Sequence, residues 1–500
     1  MMKCQFARLL IIVGLFSGRV WGTGEGGTVD PRIHGVEFGL LPISATKEHM
    51  GATVGIRERM RDFGTPGLSI AVIEGGRLAW AQGYGVADSK SHRRVTSETL
   101  FQAASISKPL TALAALTLVQ SGKLNLDQDV NQYLKSWKVP ANSLTHTHKV
   151  TLRLLLSHTA GVADIDFPDI GPNDPLPTLV QILNGTPPAK NKPITIDAVP
   201  GSQYGYSRGG YDITQQLLMD VSAEPFEDFM QTAVLDPLGM MHSSFRQPLP
   251  PSLLRLAATP HLAGGARILE GLRTSEMAMA GLWSTPSDLA QYVISIQRTL
   301  SGSNDGLIGR QLTRDMLTPQ KGYHGLGPIM SGQGETTRFG HDGFNEGFIS
   351  SMVGYENFGQ GAVVMANGGF SFMLIKEVLD SIARAYKWRN YDFTNMQPPD
   401  ASLPQQEVIK VPQELLEASI GQYRLDEDTF RIFEKKQHLF IDWPGEGEAE
   451  IFATPSGKMF CASLPFGSPW LTFVRAEKGK RLVTKILAAH DGNHAFLRVD

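Results

Sequence analysis

The stretch "FQAASISKPLTALAAL", residues 101–116, sets Ser105 and Lys108 three residues apart where an almost wholly apolar helix begins. A serine hydroxyl is a poor nucleophile until a nearby base accepts its proton. Residues i and i+3 share one helix face, so Lys108 stays within reach of the Ser105 hydroxyl. Burial of the segment penalises the ammonium, which makes a neutral amine, or one sharing a proton with a partner, accessible near neutrality. The helix N-terminus adds backbone N–H groups that favour developing negative charge. Together these are the parts of nucleophilic acyl chemistry. The pattern alone is common, and it recurs at Ser44–Lys47, where a serine capping an exposed, charge-rich helix is the expected role. Without further residues, a capping Ser105 beside a Lys108 that reaches to water explains the pair equally well.

The elements around this segment follow from local signals. Charged and apolar residues alternate helically from about Lys47 to Phe63, and Gly64, Pro66 and Gly67 end the run. "LSIAVIE" and "RLAWAQGYG" flank Gly75-Gly76, a hairpin signature. The helix after Ser105 runs to Gln120 with no polar face, which makes it a central helix. Residues 140–250 alternate short helical patterns with Pro and Gly breaks, as in a helical lobe with long loops. Thr285, Pro286 and Asp288 open another helix, "GFISSMV" and "GAVVMAN" read as strands, and an apolar stripe marks a helix from Phe372. Residues 396–412 hold four prolines and no apolar period, so they read as a linker. Beyond it, short alternating strands broken by turns predict an antiparallel meander or small barrel over 413–500.

Composition bounds the partner. A chain of 500 residues with 46 basic and 49 acidic side chains and a net charge of -3 has no field that would draw a nucleic acid or hold an anionic membrane. Residues 1–22 read as a secretory signal, with Lys3 and Arg8 before an apolar run too short to span a bilayer. The mature protein, periplasmic or secreted, then has no stable membrane span. Cys4 leaves with the signal and Cys461 is left alone, so no internal disulfide is expected. His146 and His148 read as a polar loop or strand edge, and no metal or other cofactor is expected. The partner is a small molecule.

Six stretches, in order, are similar to the penicillin-recognising serine hydrolases, the family of class C β-lactamases, D-Ala-D-Ala carboxypeptidases, D-aminopeptidases and β-lactamase-like esterases. They are "PGLSIAVIEGGRLAWAQGYGVAD", "FQAASISKPLTALAAL", "LLLSHTAGV", "PGSQYGYSRGGYDI", "AGLWSTPSDLA" and "GHDGFNEGFIS", within about residues 50–390. The resemblance implies Ser105 as nucleophile with Lys108 beside it. Tyr206, in Tyr206-Ser207-Arg208, stands where the family has Tyr-x-Asn and is the candidate proton relay, leaving open which of Lys108 and Tyr206 is the principal base. Tyr204 is its neighbouring rival and reads as a packing aromatic. His341-Asp342-Gly343 stands in the family's third motif, which puts His341 among the catalytic groups and Asp342 and Gly343 beside the substrate. The N–H groups of Ser105 and Phe344 would form the oxyanion hole. A second His-Asp-Gly at His490 reads as an ordinary turn.

Two departures matter. Arg208 replaces the family's asparagine, so it either supports structure, reaches solvent or binds a substrate carboxylate, and the third motif starts with His341 rather than lysine. Efficient β-lactam hydrolysis is therefore disfavoured. The implied fold is α/β, an antiparallel sheet flanked by helices with a helical lobe (23–395), plus a lipocalin-like all-β domain (413–500). The implied function is hydrolysis of an ester, peptide or peptidoglycan-like substrate through a Ser105 acyl-enzyme. The alternative is a penicillin-binding sensor, or a pseudoenzyme that holds peptidoglycan peptides without turnover. Oligomeric state has no signature in the chain.

Overall fold

Gly75 and Gly76 take φ values of 61° and 68°, the left-handed pair a two-residue hairpin needs. They join β1 (Gly67–Glu74) to β2 (Arg77–Asp88), as the sequence predicts. The computed structural model describes residues 30–45, 47–164, 174–262, 274–369, 371–391, 406–425, 428–443, 447–455, 459–461, 470–475, 483–488 and 494–499. The expected signal with Cys4, the first part of the linker (396–405) and the turn at His490 lie outside the described residues.

The hairpin belongs to a seven-stranded antiparallel sheet. Its later strands are β3 (Ile329–Ser331), β4 (Arg338–Asn345), β5 (Phe348–Tyr355) and β6 (Gly361–Ala366), and the spatial order is Arg93–Arg94, β2, β1, β6, β5, β4, β3. Successive side chains of a strand point to opposite faces. Ala71, Ile73, Val363 and Met365 accordingly enter one core, and Leu68, Ile70, Val72, Val364 and Ala366 enter another. Both faces are covered, which is why these strands read as unbroken apolar runs.

The first face carries α2 (Ser107–Gln120), α4 (Arg208–Ser222) and α5 (Pro286–Leu300), with the short α3 (Leu152–Leu156) packed on α4. Every residue of α2 from Ser107 to Leu116 is buried, as its lack of a polar face predicts. The Thr285 hydroxyl accepts the Asp288 N–H at 3.1 Å and starts α5, the expected cap. The second face carries α1 (Ile56–Asp62) and α6 (Ser371–Ala385), whose Leu374, Val378, Leu379 and Ile382 form the buried stripe.

The helix expected over 47–63 is only partly formed. A single 3-10 turn, Lys47–His49, is separated from α1 by Gly51 at φ 79°, and the Leu40–Val54 backbone pair takes hydrogen bonds that a continuous helix would need. Ser44 lies in a two-residue strand rather than capping a helix. The second half of the expected linker pairs with other elements. Gln406–Glu407 pairs in parallel with Ser44–Ala45, Ile409 exchanges backbone bonds with Ala453, and Val408 and Val411 are buried.

After the helix Gln413–Ser419 come, among the described residues, eight antiparallel strands, Gly421–Leu425, Asp428–Lys435, His438–Trp443, Gly447–Ala453, Met459–Phe460, Trp470–Arg475, Val483–Ala488 and His494–Arg498. The first pairs with the last through Tyr423–Arg498 and Arg424–Leu497, so the sheet closes into a barrel. Its interior holds Tyr423, Phe430, Ile432, Ile441 and Ile486, with Cys461 buried among them.

Candidate active site

Ser105 sits in a 3-10 turn, Ala104–Ile106, that opens into α2. Ala104 has φ 48°, a left-handed backbone that costs a residue with a Cβ about 1–3 kcal/mol. Ser107 holds the turn in place: its hydroxyl donates to the Ala104 carbonyl at 2.6 Å and accepts the Leu282 N–H at 3.0 Å. Ser105 is the one residue from Phe101 to Leu110 that is not fully buried.

Lys108 is 1% exposed. Its Nζ donates to Ser105 Oγ at 2.9 Å and to the Met279 carbonyl at 2.9 Å, and among the described residues no carboxylate lies within ion-pair distance. The carbonyl is set by a short helix, Met277–Ala280. Thr111 of α2 donates to the Ala278 carbonyl at 3.1 Å, and Gln215 of α4 accepts the Ala278 N–H at 2.9 Å. Nearby Asp212 is fully buried with both carboxyl oxygens unpartnered, and burial, then Glu276, pushes it well above the usual carboxylate range.

Tyr206 approaches from the loop before α4, and its hydroxyl donates to Ser105 Oγ at 3.1 Å. The Lys108 ammonium lies 5.1 Å from its ring centre. Tyr204 instead stacks on His324, with ring centres 5.3 Å apart, and its hydroxyl meets that of Tyr323 at 3.5 Å. It is the packing aromatic of the pair.

β4 supplies the third wall. His341 is buried, and its Nδ1 lies 2.5 Å from the Asp342 carbonyl. A carbonyl only accepts, so Nδ1 carries the proton and the unpartnered Nε2 is a lone-pair nitrogen. Burial, then the Lys108 charge and His324, holds His341 well below the usual imidazole range, so it is neutral. Strand alternation turns Asp342 to the opposite face, where Ser351 donates to its carboxylate at 2.6 Å and Lys376 of α6 lines the same small cavity. Its carboxylate is therefore not a substrate group of this groove, a correction to the sequence reading. Gly343 also differs in reason. A Cβ there would stand 2.2 Å from the Ala103 carbonyl and 2.3 Å from Ser350 Oγ, so glycine lets the Ser105 turn dock on the sheet, and the room was not reserved for substrate.

β3 pairs with β4 only over Arg338–Gly340, which leaves the rest of that edge, Phe344 included, without a strand partner among the described residues. Phe344 itself is 52% exposed. Arg208 is at the first position of α4, and its side chain and backbone N–H both bond Asp164, with Nε 3.1 Å from Oδ1. That pair ties the start of α4 to the segment before residue 165.

Two groups escaped the sequence reading, His158 and His324, which lie with ring centres 5.0 Å apart in the same pocket wall. Burial, then Lys108, pushes His324 down to about 3. Burial, then His324 and Lys108, holds His158 well below its ordinary range. His158 lay in the quoted "LLLSHTAGV", yet a lone histidine has no spacing rule that separates a wall from a core. The Met279 carbonyl carries no residue-type signal at all. The expected metal-free pair His146 and His148 is on an exposed turn.

The sequence profile of the β-lactamase family matches residues 56–385. Protein flp of Staphylococcus aureus (strain MRSA252) is 28% identical over 225 residues, 44% of this chain and 42% of that protein. A β-lactamase of Pseudomonas fluorescens is 29% identical over 227 residues, 45% of this chain and 58% of that one. The chain thus spans about half the length of the curated relatives it matches. Among solved structures, the crystal structure of SurE is 21% identical with a TM-score of 0.55, covering 89% of this chain and 97% of that one. The octameric penicillin-binding protein homologue from Pyrococcus abyssi is 20% identical with a TM-score of 0.58, covering 89% and 98%. At these identities the structural likeness speaks for the fold. The family match, covering most of the chain, carries the assignment, and the protein belongs to the β-lactamase family.

Proposed function

We propose that this protein is a serine hydrolase that forms an acyl-enzyme at Ser105 from carboxylic esters or D-amino-acid-type amides. The observation that carries the reading is the convergence of Lys108 Nζ and Tyr206 Oη on one hydroxyl, at 2.9 and 3.1 Å. Ser105 Oγ attacks the acyl carbon while its proton passes to the Lys108–Tyr206 pair in the form that is one proton short, a neutral amine beside the phenol or the ammonium beside a phenolate. The tetrahedral oxyanion is held by the N–H groups of Ser105 and Phe344. Collapse breaks the bond to the leaving group, which departs with the relayed proton. Water then attacks the acyl carbon and gives its proton to the same pair, which returns it to Ser105 Oγ as the acyl–oxygen bond breaks and the carboxylic acid is released.

The electrostatics favour uncharged acyl donors, since Arg208 is matched by Asp164 and His341 is neutral, so neither offers a cation to a substrate carboxylate. The test is time-resolved intact-mass spectrometry with p-nitrophenyl acetate beside Ser105→Ala. The expected result is an acetyl adduct that needs Ser105 and is turned over. A persistent adduct would mark a sensor, and no adduct would overturn the acyl-enzyme.

A further inference from the structure

The Tyr206 hydroxyl can act on Ser105 only if the loop that carries it is held still, and the contacts that hold it converge on one residue. His158 follows the C-cap of α3 and has φ 57°, a left-handed backbone that takes the chain out of the helix. In that conformation its carbonyl accepts the Gly205 N–H at 2.9 Å. Its Nδ1 accepts the Ser207 N–H at 3.1 Å. The residues immediately before and after Tyr206 are thus bonded to the same histidine. The imidazole also stacks on the Tyr206 ring, with centres 4.3 Å apart and planes 27° from parallel.

Three contacts of different kinds therefore set the position, direction and tilt of one phenol. An imidazole whose Nδ1 accepts must carry its proton on Nε2 if neutral, and His158 is 2% exposed with that Nε2 unpartnered. A protonated ring would lose the Ser207 bond. The burial that keeps the ring neutral also keeps the clamp closed.

We propose that His158 is a positioning residue that clamps the Tyr206 loop on both sides and so holds the Tyr206 hydroxyl on Ser105 Oγ; this rests on the acyl-enzyme reading above. His158 touches no reacting atom. Its effect passes through Tyr206, where a misplacement of about an ångström costs on the order of a hundredfold in rate.

The experiment is a double-mutant cycle read as the rate constant of Ser105 acetylation by p-nitrophenyl acetate, with melting temperatures measured alongside. His158→Asn keeps a residue that tolerates the left-handed backbone and offers an acceptor for the Ser207 N–H, but removes the stacked ring. His158→Gln serves if the first variant does not fold. With Tyr206 present, either variant should lower the acetylation rate about ten- to a hundredfold without raising the half-saturation concentration. In the Tyr206→Phe background, which keeps the ring and lacks the hydroxyl, the same substitution should have no further effect. Equal losses in both backgrounds, or wild-type rates in the first, would overturn the proposal. A Tyr206→Phe protein that acetylates at the wild-type rate would instead overturn the relay role of Tyr206 itself, a separate and recognisable failure.

Discussion

Lys108 and Arg59 are both cations withdrawn from water, and they are satisfied in opposite ways. Arg59 of α1 grips Glu377 of α6 through two bonds of 2.6 and 2.7 Å, and the Glu377 carboxylate takes the Ile43 N–H as well. Lys108 has a hydroxyl and a carbonyl and, among the described residues, no carboxylate. A closed ion pair holds structure together and has no spare bonding to offer. A buried cation given only neutral partners is costly to keep. That cost is tolerated where the group's charge and proton are used, and here it lies against a nucleophile on a strained turn.

The sharpest way to break this contrast is to remove each cation in turn. Lys108→Met should slow Ser105 acetylation about 10²–10⁴-fold while the melting temperature stays level or rises, because an uncompensated buried charge is gone. Arg59→Met should do the reverse. It leaves Glu377 buried and unpaired, which costs about 3–5 kcal/mol in denaturant unfolding, with acetylation by the folded fraction unchanged. A Lys108→Met protein that lost stability as Arg59→Met does would show that Lys108 is structural after all.

Acid should sharpen the same division, since the Lys108 neighbourhood is lined by imidazoles kept neutral. His324 titrates near 6.5 unfolded and about 3 folded, so its contribution to stability is whole above pH 6.5 and is lost as pH falls toward 3. In that window the unfolded chain takes up a proton that the folded one refuses, worth at most about 1.4 kcal/mol per pH unit. Unfolding of His324→Gln between pH 6.5 and 4 should therefore fall less steeply with acid than that of the parent. Comparing the two also cancels the buried carboxyls Asp212, Asp342 and Glu377, whose raised values act in the opposite sense. An unchanged slope would mean that His324 is protonated in the folded protein.

The smallest effect is expected at the surface. The Arg208–Asp164 pair is partly exposed, so Arg208→Ala should cost no more than about 1 kcal/mol and leave the ratio of acidic to neutral ester hydrolysis unchanged. A shift in that ratio would restore Arg208 as a substrate group.

Much of the fold was legible because its signals are local. The Gly75-Gly76 hairpin, the Thr285 cap and the faceless apolar helix after Ser105 each depend on a few consecutive residues, and each is found where expected. The break in the helix expected at 47–63 and the contacts made by the second half of the linker have one cause. In both, distant backbone groups, Val54 with Leu40 and Ala453 with Ile409, satisfy bonds that no local pattern can announce.

The candidate site divides along the same line. By itself the sequence determined the Ser105–Lys108 pair, because three residues on one helical turn are geometry as well as spelling, and its motif order pointed to Tyr206 and His341. Tertiary structure alone decided the rest. It turned Asp342 away from the groove, tied Arg208 to Asp164, aimed the Met279 carbonyl at Lys108 and folded His158 around the Tyr206 loop. The physical reason is distance along the chain: Tyr206 lies 101 positions from Ser105 and Met279 171 from Lys108, so their meeting is set by how helices pack on the sheet and by which buried donors must find acceptors.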